Sequence, residues 1–409
     1  EDLELEPPKM KKTKKQQILY STILHKIYTK RVISRIDIAK ETGITTATVS
    51  LISADMLAEG VIREIGEDAS ESDKVGRKKI LLSICPKYTY YIGAEISEKF
   101  FSFVLADNTG NIVEKSCVSH KDKANVTTEA FLRHLRDFYN AAGAHAPKVN
   151  AVGVALPGHY TDADRNHIIT NNDYWKDFDL ELIRANMEVP VFFANNVHCM
   201  AQAESLFYSE PSEENSGNFM FFHIGRGIHC AQMYQDELHS RRNLNIGEIG
   251  HITYQPEGEL CECGKRGCLQ TFASETWLIR KARILYQTSV RSSLRYLAET
   301  ADSITLSTLL NAYALGDKAI VSLIDQAVES IRITIENLNL IIDSSRIFVH
   351  GELFNSESAS ELLKNGMELK KGLFATPQPQ KLIIKKYSPY TGAAGASALC
   401  VHHDLLGRE

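Results

Sequence analysis

Gly247-Glu248-Ile249-Gly250-His251 is followed, ten residues after the histidine, by Cys261-Glu262-Cys263-Gly264-Lys265-Arg266-Gly267-Cys268. Three thiolates and one imidazole at this spacing make a Cys₃His set, enough to close a tetrahedral site. Gly264 and Gly267 let the loop fold tightly enough to bring Cys263 and Cys268 onto one ion. The alternative is three unligated thiols in an exposed loop, which is a redox liability. With four protein ligands no position is left for a catalytic water. The loop 251–268 therefore reads as a structural zinc staple on His251, Cys261, Cys263 and Cys268. The other cysteines, Cys85, Cys117, Cys199, Cys230 and Cys400, are scattered, as small buried hydrophobes are.

On either side of this loop the pattern is α/β. Tyr91 to Ile96, Phe101 to Ala106 and Asn111 to Val113 read as successive strands, with Asp107-Asn108-Thr109-Gly110 as a hairpin turn. Thr128 to Ala142 reads as a helix, Val149 to Leu156 as a buried strand and Val197 to Phe207 as another helix. The last third is largely helical, interrupted by Arg346 to Gly351. The chain is 409 residues long, 44% hydrophobic and 24% charged, which suits two or three globular domains. Its apolar runs fall far short of the ~20 residues that a bilayer span needs. The lysine-rich start has no apolar signal core behind it, so a cytoplasmic protein is expected.

The net charge of -5 argues against bulk nucleic-acid binding, but its distribution does not. Lys9 to Lys40 is strongly basic. Residues 1–15 are expected to form a flexible basic arm, 16–84 a DNA-binding domain and 85–409 the α/β body. Ser34 to Ser50 has helix-turn-helix grammar: Ser34 and Thr45 as N-caps, Ala39 where two helices cross, and Gly43 in the turn. Ile38, Ile44, Val49 and Ile52 can bury between the helices. Thr45, Thr46, Ala47, Thr48 and Ser50 then lie at the start of a recognition helix, where short hydroxyls suit phosphate and base edges. Arg35 adds a cation. Two strands, 61–65 and 79–84, follow around a polar loop that ends in Gly76-Arg77-Lys78-Lys79, a basic wing tip able to reach the backbone or minor groove. A helical module for protein contacts is the competing reading. Helix order, glycine turn, hydroxyls and basic wing agree on a winged helix-turn-helix.

At the Glu-x-Gly-His and Cys-x-Cys-Gly-x-x-Gly-Cys residues the sequence resembles the ROK family (repressors, open reading frames, kinases). The resemblance extends through Ala155-Leu156-Pro157-Gly158, Asn172-Asp173-Tyr174-Trp175, Asn195-Asn196, Gly225-Arg226-Gly227-Ile228 and Gly392-Ala393-Ala394-Gly395-Ala396. The fused head resembles the repressor branch. The resemblance implies a two-lobed, actin-like, sugar-kinase-like ATPase fold, a sugar cleft between the lobes, and dimers or tetramers. It places sugar recognition on Asn195, Asn196, Glu248, His251 and Gln270. Carboxylate, amide and imidazole groups suit hydroxyl recognition. His251 could serve zinc through one ring nitrogen and sugar through the other.

Departures from the kinase pattern fall on its catalytic parts. Asn196 stands where family kinases carry the general-base Asp, and an amide cannot take a proton from a sugar hydroxyl. The first phosphate loop is Glu95-Ile96-Ser97-Glu98-Lys99 where Asp-x-Gly-Gly-Thr is expected, so backbone amides lose close access to phosphate and Glu98 repels it. Ile228-His229-Cys230-Ala231 fills a second loop expected to be glycine-rich. His350-Gly351 replaces a Gly-Gly pair. Gln270 replaces a Glu. The expectation is a non-enzymatic repressor of carbohydrate genes that binds double-stranded operator DNA and a sugar or sugar-phosphate effector. Two other readings stand beside it: a regulator whose cleft is vestigial and whose signal is a partner protein, and an active sugar kinase with an appended DNA-binding domain.

Overall fold

The computed structural model describes residues 13–67, 78–120, 123–146, 148–161, 164–208, 217–239, 243–368 and 380–407. Residues 1–12 of the expected arm, and Arg77 at the expected wing tip, lie outside the described residues.

The head opens with α1 (Lys14–Lys30), where Thr13 and Gln16 cap each other reciprocally. Ile23, Leu24, Ile27 and Tyr28 make its buried stripe. After β1 (Ile33–Ser34), the Ser34 hydroxyl accepts from the Asp37 amide and starts α2 (Arg35–Thr42). Gly43, at φ 72°, ends it in the left-handed conformation that suits glycine. Thr45 then caps α3 (Thr46–Ala58). β2 (Ile62–Glu67) and β3 (Ile80–Ile84) form an antiparallel hairpin, and β1 adds to the free edge of β3. The sequence reading did not anticipate β1, which at two residues shows no periodicity.

The first lobe begins with β4 (Tyr90–Ile96), β5 (Phe100–Asp107) and β6 (Ile112–Ser119). Then come α4 (Thr128–Ala142), β7 (Val149–Leu156), the small hairpin β8 (His159–Thr161) and β9 (Asp164–Ile169), α5 (Leu180–Ala185), β10 (Val191–Asn195) and α6 (Asn196–Ala203). The second lobe begins with β11 (Phe219–Ile224), β12 (Ile228–Tyr234) and β13 (Glu237–Leu238). The thiol loop follows. After it come α7 (Gln270–Ala273), α8 (Glu275–Thr288), α9 (Leu294–Leu297), α10 (Leu306–Ala314) and α11 (Lys318–Asn339). The chain closes with β14 (Arg346–His350), α12 (Glu357–Glu368), β15 (Lys381–Lys385) and α13 (Thr391–Cys400).

The two lobes repeat one topology. Their five-stranded sheets run β6-β5-β4-β7-β10 and β13-β12-β11-β14-β15. In each, three antiparallel strands are followed by two strands parallel to the central one. In each, a helix follows the outer parallel strand: α6 after β10, and α13 after β15. These two helices meet between the lobes.

That meeting is possible because α13 is built almost entirely from small residues, all buried from Gly392 to Cys400. A Cβ at Gly93 on β4 would lie 1.9 Å from the Ala393 carbonyl oxygen, and one at Gly153 on β7 would lie 2.0 Å from that of Ala396. A Cβ at Gly395 would lie 2.6 Å from the Cys199 backbone of α6. Backbone thus rests on backbone at three places. The head is joined to the first lobe by a shared core, in which α1 packs with Tyr91, Leu206 and Val401. The buried Tyr28 hydroxyl donates to the Asn108 carbonyl at 2.8 Å. Among the described residues no helix is long and apolar enough to cross a membrane.

Gly153→Ala should therefore cost about 3 kcal/mol or more, the upper range for an overpacked core, because its neighbour is backbone and cannot rotate away. Gly143→Ala, at φ -57° with ordinary contacts around it, should stay within about 0.5 kcal/mol of the wild type. Urea denaturation of both variants checks the contrast; equal stabilities would contradict the close crossing.

Candidate functional site

The thiol loop is held in shape by its glycines. Gly264 and Gly267 adopt φ of 86° and 67°, and a Cβ at Gly267 would lie 1.5 Å from the Gln255 carbonyl oxygen. The Cys263 and Cys268 sulfurs are 3.6 Å apart, and Cys261 Sγ is 3.6 Å from His251 Nδ1. All four candidate ligand atoms lie within 4.8 Å of one another. A tetrahedral ion with metal–sulfur bonds of about 2.3 Å has sulfurs about 3.8 Å apart, so this set fits a metal ion. Gln270 Nε2 donates to Cys261 Sγ at 3.4 Å and to Glu262 Oε1 at 2.9 Å. A neutral amide is suited to that place, since it offers a proton to the thiolate.

Between the lobes lies a cavity of about 1220 Å³, and Asn195, Asn196, Glu248, His251 and Gln270 all line it. Asn195 ends β10 and caps α6: its Oδ1 accepts from the Val197 and His198 amides at 2.9 and 3.3 Å, while its Nδ2 donates to the Gly158 carbonyl. Asn196 Nδ2 donates to Glu95 Oε1 at 3.4 Å. Burial pushes the Glu95 carboxyl up to about 7, against hydrogen bonds from Asn196 and the Gly392 backbone. Glu248 is hydrogen-bonded to His159 Nε2 at 2.9 Å and lies 3.4 Å from His229 Nδ1. Burial would raise its carboxyl, but the hydrogen bonds to His159 and His229 prevail and hold it well below the usual carboxylate range. His251 turns Nδ1 to the thiols, which leaves Nε2 on the opposite edge of the ring. Gln270 is brought to the same wall, with its amide nitrogen committed to the loop.

The turns expected to hold phosphates instead hold each other. Arg226 Nη1, between β11 and β12, reaches both oxygens of Glu98, between β4 and β5, at 2.6 and 2.7 Å. Asn172 Nδ2 donates to the same carboxylate at 2.7 Å. Lys99 pairs with Glu275 and with Glu352 across the same gap. His350 is buried against His223, Nδ1 to Nδ1 at 2.9 Å, and burial lowers His223 to about 4.

On the head, Thr46, Ala47 and Ser50 are exposed at the start of α3. Thr45 and Thr48 sit beside them, joined by a 2.9 Å hydroxyl contact that serves the cap. Arg35 pairs with Glu64 at 2.8 Å and Lys78 with Glu67 at 3.3 Å, so both cations are partly neutralised within the head. The sequence reading missed the clustering of His159, His198 and His229. They come from three separate elements, and nothing in their spacing links them. It also missed Arg31, which closes α1 at φ 61°. Its guanidinium donates to the Leu206 carbonyl and, at 3.5 Å, to that of Ser205. Both carbonyls lie in the π-helical turn Glu204–Tyr208 that directly continues α6.

Two lobes of matched topology closing on a polar cleft define the sugar-kinase-like class of α/β fold. A ROK family glucokinase from Streptomyces griseus, solved with glucose and AMPPNP, has that fold: TM-score 0.63 and 21% identity over 76% of this chain and 98% of its own. A ROK family transcriptional regulator, a homologue of the E. coli MLC protein, superposes with a TM-score of 0.71 at 22% identity, covering 94% of this chain and 95% of its own. The ROK family profile matches residues 91–403, and the chain belongs to that family. In sequence it is similar to the xylose repressor of Bacillus subtilis, 26% identical over 84% of this chain and 90% of that protein. It is also similar to the DNA-binding transcriptional dual regulator NagC of Escherichia coli, 24% identical over 92% of this chain and 90% of that protein.

Glu95 should leave a pH signature. Its folded carboxyl holds a proton up to about pH 7, whereas the unfolded one releases it near 4.5, so folding loses stability as pH rises through that window. At about 1.4 kcal/mol per pH unit, Glu95→Gln should be more stable than wild type by about 3 kcal/mol at pH 8, with the advantage fading towards pH 5. Urea titrations at the two pH values measure it; parallel pH dependence in both proteins would sink the assignment.

Proposed function

We propose that this protein is a sugar-responsive transcriptional repressor that binds operator DNA and has no kinase activity. The observation that carries the proposal is one continuous path. Helix α6 starts at Asn195 in the cleft and ends, through its π-helical turn, on Arg31 of the head. A ligand that favours one arrangement of the lobes would shift the start of α6 and, through Arg31, the angle of α1. The size of the response is bounded by the ligand's differential affinity for the two states.

The head has the order and capping of a winged helix-turn-helix, with α3 as recognition helix and β2–β3 as wing. Thr46, Ala47 and Ser50 would meet base edges, with Thr45 and Thr48 near phosphate. Arg35, Arg77 and Lys78 would contribute backbone contacts. Symmetric dimers or tetramers would read a pseudo-palindromic operator. His251, Cys261, Cys263 and Cys268 would hold zinc, whose chemistry here is to staple the cleft wall. Asn195, Asn196, Glu248, His251 and Gln270 would bind sugar hydroxyls, His251 through Nε2. The likeness to xylose and N-acetylglucosamine repressors points to a pentose, an amino sugar or a phosphate of one.

Lost kinase chemistry is supported by Asn196 at the general-base position and by Arg226–Glu98 closing the two phosphate turns on each other. A second reading, control by a partner protein, keeps the head and the zinc and treats the cleft as vestigial.

Thermal melts of the zinc-loaded protein with xylose, N-acetylglucosamine, glucose, their phosphates and ATP test this. A ligand at 100 times its dissociation constant adds about 2.7 kcal/mol, a rise of a few degrees. One sugar or sugar phosphate should shift the melt and ATP should not. A shift with ATP overturns the lost chemistry, and silence across the sugars favours the partner reading. With the responding sugar, Arg31→Ala should keep ligand affinity within about twofold but lose most of the ligand's effect on operator affinity, read by fluorescence anisotropy. An undiminished effect would refute the α6 path. Cys263→Ser should lose one zinc equivalent by elemental analysis and melt several degrees lower.

A further inference from the structure

His159, His229 and Glu248 converge at the back of the cleft, apart from the thiol loop. His159 opens β8 in the first lobe; His229 lies on β12 and Glu248 follows β13 in the second. Both imidazoles are buried, and all three side chains face the cavity. His159 Nε2 is 2.9 Å from Glu248 Oε1, and His229 Nδ1 is 3.4 Å from the same oxygen. One candidate ligand atom from each residue lies within 4.8 Å of the other two. Donors bound to one tetrahedral zinc at about 2.0–2.1 Å stand about 3.3 Å apart, which is close to these separations.

Two further features suit a metal. His229 turns its other nitrogen, Nε2, to His198 Nε2 at 3.4 Å. Metal-bound imidazoles generally hydrogen-bond through the second nitrogen, most often to a carboxylate, carbonyl or water, which fixes the ring and its tautomer; here the neighbour is His198. Gly247 fixes the carboxylate side. It has φ 94°, and a Cβ there would lie 2.5 Å from the Cys230 carbonyl oxygen and 2.6 Å from His229 Nε2. Only glycine lets the backbone bring Glu248 this close to His229.

We propose that His159, His229 and Glu248 form a second metal site, for a zinc-class divalent cation, that ties the two lobes together across the cleft. A His₂Glu set leaves at least one coordination position open. All three side chains line the cavity, so water or a ligand hydroxyl can reach that position. The cation would then hold the lobes closed, with His159 contributed by one side and His229 and Glu248 by the other. Glu248 would then meet a sugar through the cation; metal loading is measured without sugar, so its test does not share the fate of the effector reading.

The full-length protein is loaded with zinc, freed of excess by gel filtration and analysed for metal. Two equivalents per chain are expected in wild type and one in His159→Gln and in His229→Ala, with circular dichroism confirming that both fold. Cys263→Ser should also fall to one, by loss of the other ion. Cobalt loading of the wild type gives a readout that needs no variant. The first equivalent should produce thiolate charge-transfer absorption, and the second should add only weaker visible bands without it. The second equivalent should raise the melting temperature of wild type and not that of His159→Gln. One equivalent in wild type, or two retained in both histidine variants, overturns the site. An equal rise in wild type and His159→Gln overturns the tie between lobes.

Discussion

The crossing of α6 and α13 is the constraint on which the rest of the structure depends. Each helix ends the repeated unit of one lobe, and they touch backbone to backbone at Gly395. On its other side α13 lies directly on β4 and β7 through Gly93 and Gly153. Contacts this close leave no room for side chains to adjust at the crossing. The crossing also fixes where α6 begins. Asn195 and Asn196 reach the cleft because α13 holds their helix there, and Arg31 finds the Leu206 carbonyl because the same helix runs on to the head.

Electrostatics give the cleft two distinct ends. At one end the turns between paired strands are bound to each other by Glu98–Arg226, and Lys99 pairs with Glu275 at the start of α8 and with Glu352 after β14. Opposite charges that satisfy each other across the gap offer little to a triphosphate, which needs free amides and cations. At the other end Glu248 gathers two histidines and stays ionised, while Glu95, buried beneath Asn196, is pushed towards neutrality. Two carboxyl groups lining one cavity are thus driven in opposite directions by their surroundings, one by hydrogen-bond donors and the other by desolvation. One end of the cavity is thus lined by hydrogen-bonding amides, imidazoles and a carboxylate, and the other by side chains paired with one another.

Much of this was legible in the sequence where the signal is local. Caps and glycine turns act over three or four residues, so Ser34, Gly43 and Thr45 marked the head's helices close to where they lie. The Cys₃His loop was legible because its ligands span eighteen positions and its glycines mark the bends. The long buried strands stood out by their apolar runs. Strand β1 was too short to show a period. Arg31 looked like one more member of a basic run, whereas the fold spends it on the carbonyls of α6.

The sequence by itself determined much of the element pattern and the thiol loop, because each depends on residue chemistry within a short window. It did not reveal that the lobes are duplicates: their strand orders match while their residues diverge, and hydrogen-bond topology survives changes that erase likeness in side chains. Only the tertiary structure gathered His159, His198, His229 and Glu248 into one cluster, and only it turned Arg226 onto Glu98. Those partners are brought together by sheets folding from distant segments, and no local rule records which distant side chains a closed cleft will place within three ångströms or so of each other.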